Sequence, residues 1–292
     1  MKPAPFEYHA PDSLEQALWL MSQHAGEAKI LAGGQSLVPA MNFRVAQPSV
    51  LIDLNRVAEL SYMREDGNLI RIGAMTRERQ LEFDLAIAKQ IPLLHEATPF
   101  IAHPQIRNRG TIGGSLVNAD PAAELPVLMT ALSARLKVQN KSGERWINAR
   151  DFFVGMFTTA LNTDEILVEI DLPTMQSRTG WSFMEVAPRA GDYALMGIAV
   201  LVTLDESSKC KQAKLVYLNA GEGPTEAKEA ENLLIGESIN DKLIESAAAL
   251  ASENEINPFG NVHTSIDFQR HLAKVLTHRA LKVAIQRAGD AQ

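Results

Sequence analysis

The stretch Lys29-Ile30-Leu31-Ala32-Gly33-Gly34-Gln35-Ser36-Leu37 decides how this chain is read, because a short apolar run breaks at once into two adjacent glycines and a hydroxyl residue. Such a run suits a buried strand that opens into a tight loop. Without Cβ atoms, Gly33 and Gly34 let the main chain approach a bound group and turn its N–H groups onto an anion, and the Ser36 hydroxyl adds a donor. A diphosphate fits there: each charge-assisted bond contributes about 1.5–3 kcal/mol, so four or five donors outweigh the desolvation of two phosphate charges. A plain Gly-Gly turn is the alternative on this stretch alone.

A second loop repeats the chemistry. Thr111-Ile112-Gly113-Gly114-Ser115 again sets two glycines between hydroxyl residues, inside the segment 101–132, IAHPQIRNRGTIGGSLVNADPAAELPVLMTAL. Pro and Gly recur there too closely for regular elements until LPVLMTAL, which reads as a buried helix, and an irregular stretch of this length is more often functional than decorative. Neither loop has the spacing of a P-loop or of G-x-G-x-x-G, which disfavours P-loop kinases and ordinary NAD domains. A rival lies at Gly221 and Gly223, but Thr225-Glu226 stands where the third fingerprint glycine belongs. It reads as a strand–turn–helix connection capped by Thr225.

Outward from these loops, Asp12 or Ser13 caps a helix with Leu14, Ala17, Leu18 and Met21 on one stripe, ending near Gly26. Val50-Leu51-Ile52 reads as a strand, with Asp53 and Asn55 as its turn, and Leu69-Ile70-Arg71-Ile72-Gly73 as another. Thr76 is expected to cap a helical stretch running toward Ile91-Pro92. Two small lobes, about 1–57 and 58–176, are expected before a boundary near residue 176. Beyond it, strands around Trp181–Val186, Ala194–Leu204 and Ala213–Asn219 precede helices at 225–234, 241–252 and 265–287, an α+β order.

Composition narrows the function classes. The chain has 292 residues, 46% hydrophobic and 22% charged, a length of about two domains at ~150 residues each. Its 28 basic residues against 35 acidic leave a net charge of −7, which disfavours nucleic acid as a partner. Cys210 is the single cysteine, so an internal disulfide, a four-thiolate zinc site or an iron–sulfur cluster is excluded and any metal redox chemistry sits on another chain. Pro3, Pro5, Glu7 and Pro11 stand where a signal peptide needs apolar residues, and no stretch approaches ~18 uninterrupted apolar residues, so a cytoplasmic location is expected. His103 reads as shaping its loop, and His271 and His278, seven apart, as solvent or partner contacts; no metal site is expected.

AGGQSL followed by P-x-x-x-x-R and QPSVLIDLN, then HPQIRNRGTIGGSLVNADPAAELP, DEILVEIDLP, RAGDYALMGIAV and SIDFQRHLAKVLTHRALK resemble, in order and across the whole chain, the FAD-binding medium subunit of molybdenum hydroxylases, nearest the carbon monoxide dehydrogenase type. The resemblance implies a two-lobed PCMH or vanillyl-alcohol-oxidase-type FAD-binding domain, residues 1–176, followed by a small α+β C-terminal domain, residues 177–292. It implies FAD, a large molybdopterin partner, a small partner with [2Fe–2S] clusters, a dimer of heterotrimers and a final electron acceptor; the FAD is expected to be noncovalent, because Cys210 lies in the C-terminal domain and no histidine closely follows the Ala32-Gly33-Gly34 loop. It places the diphosphate on Ala32, Gly33, Gly34, Gln35, Ser36 and Leu37, with Lys29, Ile30 and Leu31 leading in. Thr111, Gly113, Gly114 and Ser115, with Ile106 and Gly110 before them, form the second clamp. Ile101 and Ala102 fall near the isoalloxazine, Ile166 and Leu167 on the adenine side, and Tyr193 covers the flavin ring at the electron exit.

Two departures from the family pattern stand out. Glu124 replaces the usual Asp near the end of ADPAAELP, keeping a carboxylate for a ribose or ribityl hydroxyl, and Met184 or Glu185 occupies a position where some relatives carry a lysine. Two other functions compete with the electron-relay subunit. One is a stand-alone flavoenzyme oxidising a small substrate directly; the other is a nucleotide-binding regulatory or scaffold protein in which both Gly-Gly loops are turns.

Overall fold

The computed structural model describes residues 1–290. They gather into two compact units, each assembled from three separate stretches: Met1–Asp84, His103–Ala119 and Ser133–Pro173 form the first, and Leu85–Ala102, Asp120–Leu132 and the described residues from Thr174 onward the second.

The first unit opens on a three-stranded parallel sheet in which Val50–Asp53 lies between Glu7–His9 and Ala28–Leu31. Parallel strands need crossovers: the helix Leu14–Gln23 joins the two outer strands, and the short helix Leu37–Asn42 lies in the connection to the middle one. The stripe of the first helix is buried as expected at Ala17, Leu18 and Met21, and the Ser13 hydroxyl accepts the Gln16 amide at 3.2 Å as its cap. An antiparallel sheet follows in the order Met63–Asp66, Leu69–Gly73, Ile166–Pro173, Arg135–Asn140, Gly143–Asn148. Its middle strand is buried along nearly its whole length, with Ile170 paired to Ile72 on one side and to Leu136 on the other. The core between the two sheets joins Leu18, Met21 and Ile52 to Leu60, Met75, Ile166 and Val168.

The second unit is an antiparallel sheet in the order Thr179–Val186, Met196–Leu204, Cys210–Leu218, Thr225–Glu226. The helices Lys228–Leu234, Asp241–Leu250 and Ile266–Asp290 close one face over Ile198, Val200, Val202, Leu215 and Tyr217. The long helix lies so close to the first strand that a Cβ on Gly180 would fall 1.8 Å from the Ala284 carbonyl oxygen. Within the same core the Tyr217 and Thr277 hydroxyls meet at 2.5 Å, each satisfying the other's burial.

Several local expectations change. The helical stretch after Thr76 is broken into Glu78–Phe83, Leu85–Gln90 and Pro92–Ala97, and Thr76 does not cap it, because its hydroxyl donates to the Tyr62 carbonyl at 2.9 Å. Arg77 takes the cap position, its amide donating to the Gln80 side chain at 2.9 Å. The segment expected to be irregular holds two short helices, Pro104–Arg107 and Ile112–Asn118, the first begun by proline and the second capped by Thr111. Thr225 is not a cap either: it pairs with Tyr217 in the sheet, and the helix starts at Lys228. The helices Pro92–Ala97 and Glu124–Ala131, read as parts of the N-terminal lobes, belong to the second unit.

Candidate functional site: two glycine bends and a carboxyl pair

The first bend leaves the parallel sheet at Ala32 and enters the helix Leu37–Asn42. Gly34 has φ 74°, a left-handed conformation that glycine takes without strain. Among the described residues, the amides of Gly33, Gly34, Gln35 and Ser36 have no acceptor within the chain. Four undirected amides in succession are the donor set a phosphate needs.

The second bend meets the first. A Cβ on Gly33 would fall 2.4 Å from the Arg109 carbonyl oxygen and 2.8 Å from Gly110 Cα, so the main chains touch there. Gly114 completes the approach, its ideal Cβ 3.4 Å from the Ala32 side chain and 4.0 Å from the Gly33 nitrogen. The residues around Thr111 are themselves tied to the helix-entry segment 74–78: Glu78 donates its amide to Gly110 at 3.1 Å, Ile112 to Thr76 at 3.0 Å and Gly113 to Ala74 at 2.8 Å.

These bonds correct the expectation of a double clamp built from main-chain amides. At the second bend the Gly113 amide is taken by Ala74, and that of Gly114 by the Thr111 hydroxyl at 3.1 Å. Gly113 lacks a side chain because a Cβ would lie 2.6 Å from the Ala74 carbonyl, a demand of chain packing. The Thr111 hydroxyl hydrogen and the Ser115 hydroxyl remain as donors. The amide donors therefore come from the first bend, and the second brings hydroxyls and a close-packed wall.

Two residues that no motif pointed to join the bends. Asn55, seen in the sequence only as a turn residue, donates through Nδ2 to the Ala32 carbonyl at 2.9 Å. Arg77 donates to Asn55 Oδ1 at 2.6 Å and, through its other terminal nitrogen, to the Arg109 carbonyl. Burial, then the Arg109 charge, pull the Arg77 guanidinium below its ordinary value, while Asp53 acts the other way. Behind the second bend, the helix Pro104–Arg107 is held by buried Arg107, whose Nε lies 3.0 Å from Glu82 Oε2. Burial opposes ionisation of Glu82, but the bonds from Arg107 and Arg79 prevail and hold its carboxyl below the usual range.

The remaining expected positions divide between the units. In the first, Ile30 and Leu31 are half-buried in their strand, Lys29 is exposed, Ile106 is half-buried and Gly110 is buried. Ile166 and Leu167 are buried in the middle of the antiparallel sheet, Ile166 within the core, which leaves main chain as their available part. In the second, Ile101 is buried, and Ala102 has φ 43°. Tyr193 lies in no strand; it is 71% exposed in the connection before Met196–Leu204. The surrounding chain, then the charges of Asp120 and Glu124, raise its phenol above the ordinary value.

Glu124 begins the helix Glu124–Ala131 and is buried, where the helix N-terminus favours a carboxylate. Glu185 reaches toward it from the strand Thr179–Val186, its Oε2 buried without a hydrogen-bond partner. Burial, reinforced by the Glu124 charge, pushes the Glu185 carboxyl up to about 8. The neighbouring Met184 packs into the core, so of the two positions weighed for the missing lysine only Glu185 presents a polar group. Among the described residues no three His, Cys, Asp or Glu side chains are grouped as a metal ion requires.

The family described as "FAD binding domain in molybdopterin dehydrogenase" matches residues 4–175, and "CO dehydrogenase flavoprotein C-terminal domain" matches residues 181–284. The chain belongs to the flavoprotein subunits of molybdenum hydroxylases. The 6-hydroxypseudooxynicotine dehydrogenase complex subunit alpha of Paenarthrobacter nicotinovorans is 43% identical over 99% of this chain and 97% of its own. The carbon monoxide dehydrogenase medium chain of Hydrogenophaga pseudoflava is 36% identical over 97% of this chain and 98% of its own. Among solved structures, carbon monoxide dehydrogenase from that organism, lacking the Mo-pyranopterin moiety of its cofactor, superposes with TM-score 0.95 at 36% identity, over 98% of this chain and 99% of that one.

As a flavoprotein subunit of this family, the chain is an oxidoreductase component with FAD as its cofactor; molybdenum and iron–sulfur groups belong to partner subunits in complexes of the carbon monoxide dehydrogenase type. The residues present fit the diphosphate of FAD: among the described residues, four free amides, two further hydroxyls and the Arg77 guanidinium, which has no carboxylate within ion-pair distance, gather at the meeting bends. No helix among the described residues is long and apolar enough to cross a membrane.

Proposed function

We propose that this chain is the electron-exit subunit of a cytoplasmic dimer of heterotrimers, receiving electrons from a small iron–sulfur partner and passing them to a final acceptor, while a large molybdopterin partner oxidises the substrate. FAD supplies the redox chemistry; the chain binds it, orients it and tunes it. The amides of Gly33, Gly34, Gln35 and Ser36 hold the diphosphate, with Leu37 behind them and Thr111 and Ser115 adding hydroxyls. Glu124 accepts from a sugar or ribityl hydroxyl, Ile101 and Ala102 border the ring, and Tyr193 covers it. Ile166 and Leu167 meet the adenine side through main chain.

The observation that carries this reading is the meeting of the two bends around four amides that nothing among the described residues uses. The relatives support placing the substrate elsewhere: chains of this length, 36–43% identical to it, serve enzymes named for substrates as unlike as 6-hydroxypseudooxynicotine and carbon monoxide. A pocket common to both does not belong on such a subunit.

The test is purification of the full chain alone and with its native partners. The chain is expected to carry one flavin that acid or mild heat releases, and the complex to contain molybdenum and iron. A colourless chain that takes up no FAD overturns the reading. Turnover of a small substrate by the isolated yellow chain establishes the stand-alone flavoenzyme instead.

A further inference from the structure

We infer that Arg77, steadied by Asn55, is a positioning residue for the FAD diphosphate, locking the two glycine bends at the spacing the ligand needs and supplying a half-buried countercharge. This rests on the flavoprotein reading and adds to it a residue outside both glycine motifs.

Three observations carry it. Arg77 is joined to both bends at once: its guanidinium holds the Arg109 carbonyl directly and the Ala32 carbonyl through Asn55, whose two amide atoms are used in opposite directions. Its main chain forms an antiparallel bridge with Thr111, so side chain and backbone fix the same junction. Second, the site concentrates positive charge that the chain compensates only through Asp53. Among the described residues neither Arg77 nor Arg109 has a carboxylate within ion-pair distance, and the nearest that acts on Arg77, Asp53, is engaged by Tyr8 at 2.6 Å and by the Asn55 amide at 2.9 Å. The half-buried Arg77 guanidinium loses solvation and is repelled by the Arg109 charge, a cost that an anion between the bends offsets. Third, the free amides of Gly33 to Ser36 begin one residue after the carbonyl that Asn55 holds, so the latch sets the direction in which they point.

Arginine suits this work because its planar fork donates to separated acceptors while keeping its charge; lysine keeps the charge and loses the fork. The test uses the purified full chain stripped of flavin. FAD, ADP as a diphosphate probe and riboflavin as a ring probe are titrated against wild type, Arg77→Gln and Arg77→Lys at several salt concentrations, and the melting temperature of each flavin-free protein is recorded.

Arg77→Gln is expected to weaken FAD and ADP by about 30-fold, the order of one lost charge-assisted contact, to leave riboflavin unchanged and to flatten the salt dependence of FAD binding. Arg77→Lys is expected to keep the salt dependence and still bind FAD about fivefold more weakly. Either variant binding FAD as wild type does overturns the inference. So does equal loss of all three ligands with a lowered melting temperature, which is the signature of a purely structural residue. If Arg77→Gln does not fold, the lysine variant alone decides. Failure of wild type to bind FAD or ADP defeats the flavoprotein reading itself and is thereby distinguished.

Discussion

Glu185→Gln is expected to stabilise the folded chain at pH 8 and to leave it nearly unchanged at pH 5. The wild-type carboxyl rises from 4.5 to about 8 because it is buried and faces the Glu124 charge. With the folded value above the unfolded one, the native chain keeps a proton that the unfolded chain has already released. Stability from this group is therefore full below about 4.5 and falls as the pH climbs to about 8. Each pH unit in that window is worth about 1.4 kcal/mol, so the ceiling between pH 5 and pH 8 is about 4 kcal/mol. Partial exposure of the carboxyl and movement of Glu124 reduce the expected difference to about 2 kcal/mol. A glutamine has the same shape, nothing to ionise, and an N–H2 that can donate to Glu124. Urea unfolding of both proteins at pH 5, 6.5 and 8 reads the effect. A gain at pH 8 no larger than at pH 5 would refute the protonated carboxyl, and a variant less stable at pH 8 would show that Glu185 is stabilising as an anion.

Gly33→Ala places a Cβ 2.4 Å from the Arg109 carbonyl oxygen, where only main chain could give way. It should cost about 1–3 kcal/mol and abolish flavin retention, whereas Gly67→Ala, with φ 63° and no atom within 4 Å of its new Cβ, should cost about 1–2 kcal/mol and stay yellow. A Gly33→Ala chain that keeps its flavin would remove the reason given for that glycine. Cys210 is 1% exposed, and burial pushes its thiol up to about 11, so a thiol reagent at pH 8 should label it only after urea unfolding. Rapid labelling of the folded protein would contradict that burial.

Much of the fold could be read locally. The stripe Leu14, Ala17, Leu18, Met21, the Ser13 cap and the apolar runs of the strands depend on neighbours within a few residues, and the structure carries each of them. The two glycine pairs announced themselves for the same reason, since a bend that needs bare main chain leaves its mark at the bend. What each glycine makes room for was beyond that reach. Gly33 yields to the Arg109 peptide and Gly113 to Ala74, and those neighbours become known only when distant segments meet.

The same limit hid Asn55 and Arg77, which look like an ordinary turn residue and an ordinary helix start until the fold brings two carbonyls within their reach. It also hid the interleaving of the units, in which Leu85–Ala102 and Asp120–Leu132 leave the N-terminal stretch for the second unit. Periodicity records which face of a helix is apolar, not which partner covers it. The amino-acid order thus determined the first helix, the apolar strands, the bends and the family. Only the tertiary structure decided which amides stay free for a ligand, because a free donor is defined by every other group in the molecule that failed to take it.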